Sequence, residues 1–170
     1  HPNVSWLGVE KLATLASKAI NAGFNAVTSI DELAQTKRYD LIIALDVMEH
    51  LSDEEIKKFF TEAEVILNPG GIIILRTPNG AGPFGLPNQT GDLTHITPIC
   101  LSRLSGYLPK WHIEETGDFE PIWTGNLPSA IRNTLRIVLR NIITSLVRFA
   151  FAPQPKTLLS SNLHLIFRRK

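Results

Sequence analysis

Tyr39-Asp-Leu-Ile-Ile-Ala-Leu-Asp-Val-Met-Glu-His-Leu51, followed by Leu67-Asn-Pro-Gly-Gly-Ile-Ile-Ile-Leu-Arg76, decides the fold. The run Leu-Ile-Ile-Ala-Leu at 41–45 lacks polar alternation, so it reads as a central parallel strand covered on both faces. Ser52 with Glu55 three residues on forms a capping box, and apolar residues at 56, 59, 60, 63, 66 and 67 give the helix one core face. Asn68-Pro-Gly-Gly71 stops that helix, and Gly71–Arg76 is a second buried strand. Ligands of open α/β sheets sit outside the carboxyl ends of parallel strands, where Asp46, Glu49 and His50 fall.

Upstream, Val4–Val9 reads as a strand ending at Glu10, and Lys11–Ala22 as a helix with apolar residues at 12, 15, 16, 19 and 20. Gly23 caps it, Asn25–Ile30 is a short strand, and Asp31–Ala34 is a turn or short helix. Strand and helix alternate from 4 to 76, which predicts an α/β fold with a mostly parallel central sheet and helices on both faces. Thr77–Leu93 is a long loop rich in Gly, Pro and Asn, and long loops in compact domains are functional or disordered. Pro98–Leu108 follows as a helix and His112–Thr116 as a strand. Asn162–Arg168 is a final strand turning Leu163, Leu165 and Phe167 inward. The whole, 1–170, reads as a single domain with a helical insertion at about 126–152.

With 44% hydrophobic and 19% charged residues the composition is that of an ordinary globular domain. The one cysteine, Cys100, excludes an internal disulfide framework and a thiolate zinc site, and reads as core. No run approaches the ~20 apolar residues of a membrane span and no signal peptide opens the chain, so a cytoplasmic location is expected. Charge is divided unevenly. Residues 1–120 hold 9 Lys+Arg and all 16 acids, a balance of −7, whereas 121–170 hold 8 Lys+Arg and no acid, a balance of +8. Either the basic part meets an anionic partner or it packs beside the acidic body. No nucleic-acid partner is expected.

Taken together, the D-x-x-E-H at 46–50 and the L-x-P-G-G at 67–71 resemble class I S-adenosylmethionine (SAM)-dependent methyltransferases of the small-molecule branch, over about Leu7 to His95 and more weakly to the C-terminus. The resemblance implies a Rossmann-like methyltransferase fold with SAM as cofactor. It also implies that a first strand, a Gly-rich turn and a first helix, which cradle the methionine half of SAM, are missing ahead of His1. Glu10 matches the carboxylate that accepts hydrogen bonds from the cofactor ribose; otherwise it is a solvated strand-end residue. Ser29, Ile30 and Asp31 match the adenine-holding position, and Leu45 a residue beside the methionine chain.

His95, in Asp92-Leu-Thr-His95, matches a histidine that faces the acceptor and could take its proton; His50 is the second candidate base. The alternative is that both anchor loops. Glu49, Thr77, Asn79 and Asp92 are candidate substrate contacts, with Pro78 at the same strand end. Asp46, Glu49 and His50 are the weak candidates for a divalent metal, which the quinone O-methyltransferase branch associates with a similar E-x-x-E-H. Three ligands from one turn are few for a hard ion, so no metal is expected.

Ile131, Leu135, Val138, Leu139, Ile142, Ile143 and Leu146 make one stripe of a helix over Ile131–Phe149, with Arg132, Arg136 and Arg140 at i, i+4 on another. Such a helix contacts an anionic membrane surface or a lipid-linked substrate, or serves as a lid or homodimer element. Of the tryptophans, core is expected, with Trp123 a candidate for substrate or membrane contact. The expected function is methyl transfer from SAM to an oxygen, less readily a nitrogen, of a small molecule, a sugar, a lipid-linked glycan or a quinone. The alternatives are a different nucleotide-dependent α/β enzyme and a non-catalytic binding domain lacking the cofactor loop.

Overall fold

The structure, a computed structural model, describes residues 4–33, 38–115, 125–151 and 159–169. Strand β1 (Gly8–Val9), helix α1 (Ala13–Asn21) and strand β2 (Ala26–Val27) form one β-α-β unit, in which the strands pair in parallel. Strand β3 (Tyr39–Leu45), helix α2 (Asp53–Ile66) and strand β4 (Leu67–Pro78) form a second, again with parallel strands. Short helices α3 (Leu86–Gly91) and α4 (Leu101–Tyr107) lead to β5 (Trp111–Glu115), and the long helix α5 (Leu127–Phe151) to β6 (Asn162–Arg169). The larger sheet has the order β3-β4-β6-β5, with β6 antiparallel to both neighbours.

The elements follow from local chemistry. Ser52 and Glu55 form the expected capping box, the Ser52 backbone N–H donating to Glu55 Oε2 at 2.9 Å. Leu67 to Gly71 joins β4 through a register break opposite Tyr39 and Leu41. Glycine is required at 71, because a Cβ there would stand 2.9 Å from Leu67 Cδ2 and 3.0 Å from Asn68 O. The core lies on one face of the larger sheet. Ile73, Leu75, Leu163, Leu165 and Phe167 pack against Ile56, Phe60 and Ala63 of α2, with Leu104 and Trp111 closing it. Burying each large side chain stabilises by roughly 1.5–3 kcal/mol.

Four sequence expectations are corrected. β3 is covered on one face only: Ala44 is buried, whereas Leu41, Ile43 and Leu45 are exposed. The apolar run was consistent with cover on both faces but does not supply it. The long loop after β4 contains α3, whose helical turn the Gly/Pro/Asn content obscured. Cys100 is half-buried at the N-cap of α4 rather than in the core. Trp111 is core, Trp6 is exposed, and Trp123 lies outside the described residues, as do Ala34, Thr116 and residue 152.

Candidate functional site

The carboxyl end of β3 carries a backbone anomaly. Asp46 has φ +54°, in the left-handed region that non-glycine residues avoid and that is concentrated at functional sites. Its N–H donates to Arg76 O at 2.8 Å, and its carboxylate receives the Arg76 guanidinium, with Arg76 Nε at 3.1 Å from Asp46 Oδ1. That hydrogen bond, with Asp46 and Glu49 charge nearby, holds Arg76 above its ordinary range. Asp46 is therefore committed to Arg76 and stands apart from the metal candidates.

The turn Met48–His50 that follows is the hub of the site. Glu49 is fully buried, and Thr77 Oγ1 donates to its Oε2 at 3.0 Å. Its backbone carbonyl accepts from Ile96 N at 2.9 Å and Thr97 N at 3.1 Å, which pins the loop after α3 onto the turn. Because that loop is pinned, His95 meets His50 with ring centroids 4.6 Å apart, edge to face. Glu49 Oε1 has no hydrogen-bond partner among the described residues, an arrangement that buried carboxylates rarely tolerate.

Hydrogen-bond logic fixes the tautomers of both histidines. Thr94 Oγ1 donates its single proton to Asp92 Oδ1 at 2.7 Å, because an ionised carboxylate can only accept. His50 Nδ1, at 3.0 Å from Thr94 Oγ1 and 3.3 Å from Thr94 O, must then be the donor. His95 Nδ1, 3.1 Å from Asn88 O, likewise donates to a carbonyl. Neutral, each ring presents Nε2 as a proton acceptor. Asp92 Oδ2 stands 3.7 Å from His95 Nε2. Hydrogen bonds from Thr94, with His95 and His50 adding, hold the Asp92 carboxyl below the usual carboxylate range.

His95 also lines a cleft of about 550 Å³ with Leu86, Gln89, Thr90, Leu93 and Pro98. Gln89 is buried and its Oε1 has no partner among the described residues. Neither Gln89 nor Thr97 could be picked from the sequence, since nothing in their neighbourhoods marks them. Phe84, Leu86, Leu93 and Ile96 are exposed around the same loop, giving it an apolar rim.

Other candidates are placed as follows. Thr77 and Asn79 are buried; Thr77 holds Glu49, and Asn79 Nδ2 donates to Ser160 O at 3.1 Å while its Oδ1 accepts from Ala81 N. They shape the strand end from within. Leu45 is exposed at the end of β3. Glu10 follows β1, and its Oε1 accepts from Leu12 N at 2.9 Å, at the start of α1. Ser29 caps the short helix Ile30–Glu32, taking the Asp31 N–H at 3.1 Å, and Glu32 completes a capping box there. Thr28 holds Glu32 below the carboxylate range. One donor atom from each of Glu49, His50 and His95 lies within 4.8 Å of the others, a set able to hold a divalent cation.

No family model matches the chain. Over 52 residues it is 33% identical to a ubiquinone biosynthesis O-methyltransferase of Bradyrhizobium sp. (strain ORS 278), a match covering 31% of this chain. The chain spans about one fifth of the length of that curated relative. A SAM dependent methyltransferase from Archaeoglobus fulgidus superposes with a TM-score of 0.63 at 20% identity, covering 96% of this chain and 75% of that one. The plantazolicin methyltransferase BamL, solved with a triazolic desmethylPZN analog and SAH, gives 0.56 at 13% identity, covering 99% and 69%. The chain shares the fold of these SAM-dependent methyltransferases.

Proposed function

We propose that this chain transfers a methyl group from SAM to a hydroxyl oxygen of a small acceptor with an apolar part, such as the quinol form of a quinone or a lipid-linked sugar. The observation that carries it is the pair of histidines, held with both Nε2 atoms free to accept a proton, at the carboxyl ends of β3 and β4. The ubiquinone biosynthesis relative supports an oxygen acceptor, and the rim of Phe84, Leu86, Leu93 and Ile96 supports an apolar one. Glu10 and Leu45, at the ends of β1 and β3, and Ser29, Ile30 and Asp31 after β2 are the residues that would hold SAM. Ser29 and Asp31 already bond to each other, so they would offer adenine backbone groups and one carboxylate oxygen.

When bound, SAM supplies an electron-poor methyl group that moves to the acceptor oxygen as S-adenosylhomocysteine is released. His95 Nε2 takes the acceptor's hydroxyl proton, and Asp92 stabilises the resulting imidazolium. His50 stacks its edge on His95 and, with Thr94, keeps the ring in place. Positioning does the remainder of the work, since displacement at methyl needs alignment above all.

A second reading is favoured by the unsatisfied Glu49 Oε1 beside the two rings. A divalent cation held by Glu49, His50 and His95 would lower the pKa of an acceptor hydroxyl directly. One experiment separates the two. In the full chain, turnover of a catechol or quinol acceptor is measured for wild type, His95→Ala and His50→Ala, with and without chelator. Under the first reading His95→Ala lowers kcat by ~10²–10⁴ with little change in Tm, and chelator has no effect. Loss of activity on chelation, restored by added cation, selects the second. Full activity in both variants overturns both.

A further inference from the structure

Helix α5 begins on a built cap. Asn126 Oδ1 accepts the Ser129 N–H at 2.9 Å, and Ser129 and Ala130 are buried. From there the helix runs to Phe151, about 37 Å in all. Its half-buried residues are Asn133, Ile137, Arg140, Thr144 and Val147, which recur at helical spacing along one face. The opposite face is the apolar one. Ile131, Leu135, Leu139, Ile142, Leu146 and Phe149 are 53%, 63%, 58%, 52%, 62% and 93% exposed. Arg132 and Arg136 edge this stripe and share with it a shallow groove of about 330 Å³. Soluble monomers rarely display a continuous apolar face of this kind, so a partner is expected to cover it.

Charge selects the partner. The sequence has no acid after Glu120, so two copies meeting through this stripe would bring cations together with no carboxylate on either helix to pair them. An anionic bilayer satisfies both features: acyl chains take the apolar face, and lipid phosphates take the flanking guanidinium groups. We propose that α5 lies in the plane of an anionic membrane surface, stripe inward, with Arg132 and Arg136 at the headgroups. Among the described residues no helix is long and apolar enough to cross the membrane, so this is contact at the interface rather than insertion across it. The proposal stands apart from the methyl-transfer reading and survives its failure.

Sedimentation of the full chain with phosphatidylcholine vesicles, with and without phosphatidylserine, tests it. Expected is binding to the anionic vesicles alone, weakened by salt. Arg132→Gln with Arg136→Gln should lower the partition coefficient about 25-fold, each cation contributing about 1 kcal/mol near the surface. Leu135→Ser with Leu139→Ser should abolish binding while circular dichroism stays unchanged, since both side chains are exposed. A wild-type chain left in the supernatant at low salt overturns the proposal. So does binding that persists in the Ser variant, and so does a soluble dimer, by ultracentrifugation, that the Ser variant dissociates.

Discussion

Helices α2 and α5 carry the same signal in sequence and meet opposite fates. Each has a polar cap, Ser52 in one and Asn126 in the other, and each has an apolar stripe at helical spacing. In α2 the stripe of Ile56, Phe60, Ala63 and Ile66 is almost wholly buried against the larger sheet. In α5 the stripe is exposed. Periodicity reports which side of a helix is apolar, because that depends only on the 3.6-residue turn. It does not report what covers that side, because cover depends on residues distant in sequence. The same holds for β3, where an unbroken apolar run ended with Leu41, Ile43 and Leu45 exposed. The α1 stripe repeats the lesson: Ala16 is buried, whereas Leu12, Leu15 and Ile20 are exposed.

The largest effect that this contrast predicts is in α2. Phe60 is about 1% exposed and its ring meets Phe59, Trp111 and Phe167 at centroid distances of 5.3, 5.6 and 4.9 Å. Phe60→Ala should cost about 3–5 kcal/mol in urea unfolding, the lost transfer energy plus a cavity that three aromatic neighbours cannot collapse into. A loss under about 1 kcal/mol would mean that the α2 face is not a core, and the contrast with α5 would fail at its firmer end.

A smaller effect belongs to the start of α2. Tyr107 OH donates to Asp53 Oδ2 at 2.7 Å, and Arg103 Nη2 donates to both Asp53 oxygens, at 2.8 and 2.9 Å, tying α4 to the first turn of α2. Tyr107 first, then Arg103, holds the Asp53 carboxyl below its ordinary range. A depressed folded-state pKa means stability that is present above the unfolded value of about 3.9 and is lost as pH falls through the folded one. Asp53→Asn should therefore lower Tm at neutral pH and narrow its gap to wild type as the solution is acidified below about pH 4. A gap of constant size across that range would show that Asp53 acts through shape alone. No comparable pair is seen at the start of α5, where the first turn holds no acid.

Much of this was legible in the sequence, and the part that was not has a physical reason. The Pro-Gly-Gly segment, read as a turn, lies within β4; the strand–helix–strand unit at 39–76 and its capping box are found, because each depends on neighbours within a few residues. So does the inward alternation of Leu163, Leu165 and Phe167, each about 1% exposed or less. The candidate site was legible in part. His50 and His95 were marked by motif, but their meeting depends on Glu49 O accepting from Ile96 and Thr97 across 47 and 48 residues. Thr77 shows the converse. Its position at a strand end suggested substrate, yet its hydroxyl is spent on Glu49, a choice made by burial that no local pattern records. Gln89 lines the His95 cleft without any motif, because a buried amide is recognised only once its surroundings exist.

The smallest predicted effect is the sharpest test of the contrast. Leu139 sits in the middle of the α5 stripe, flanked one turn away by Leu135 and Ile143, and is 58% exposed. Leucine and alanine are both strong helix formers, so Leu139→Ala changes little in the helix itself. With more than half its surface already in water, little transfer energy remains to lose, and no cavity opens. Unfolding in urea should shift by no more than about 0.5 kcal/mol, the range of surface substitutions away from packed features. The deletion of similar chemistry at Phe60 should exceed it severalfold. A cost of 2 kcal/mol or more, the scale of a buried leucine, would show that the stripe is covered in solution by the chain or by a second copy. The two helices would then differ in partner rather than in exposure, and the lipid surface would lose its claim on α5.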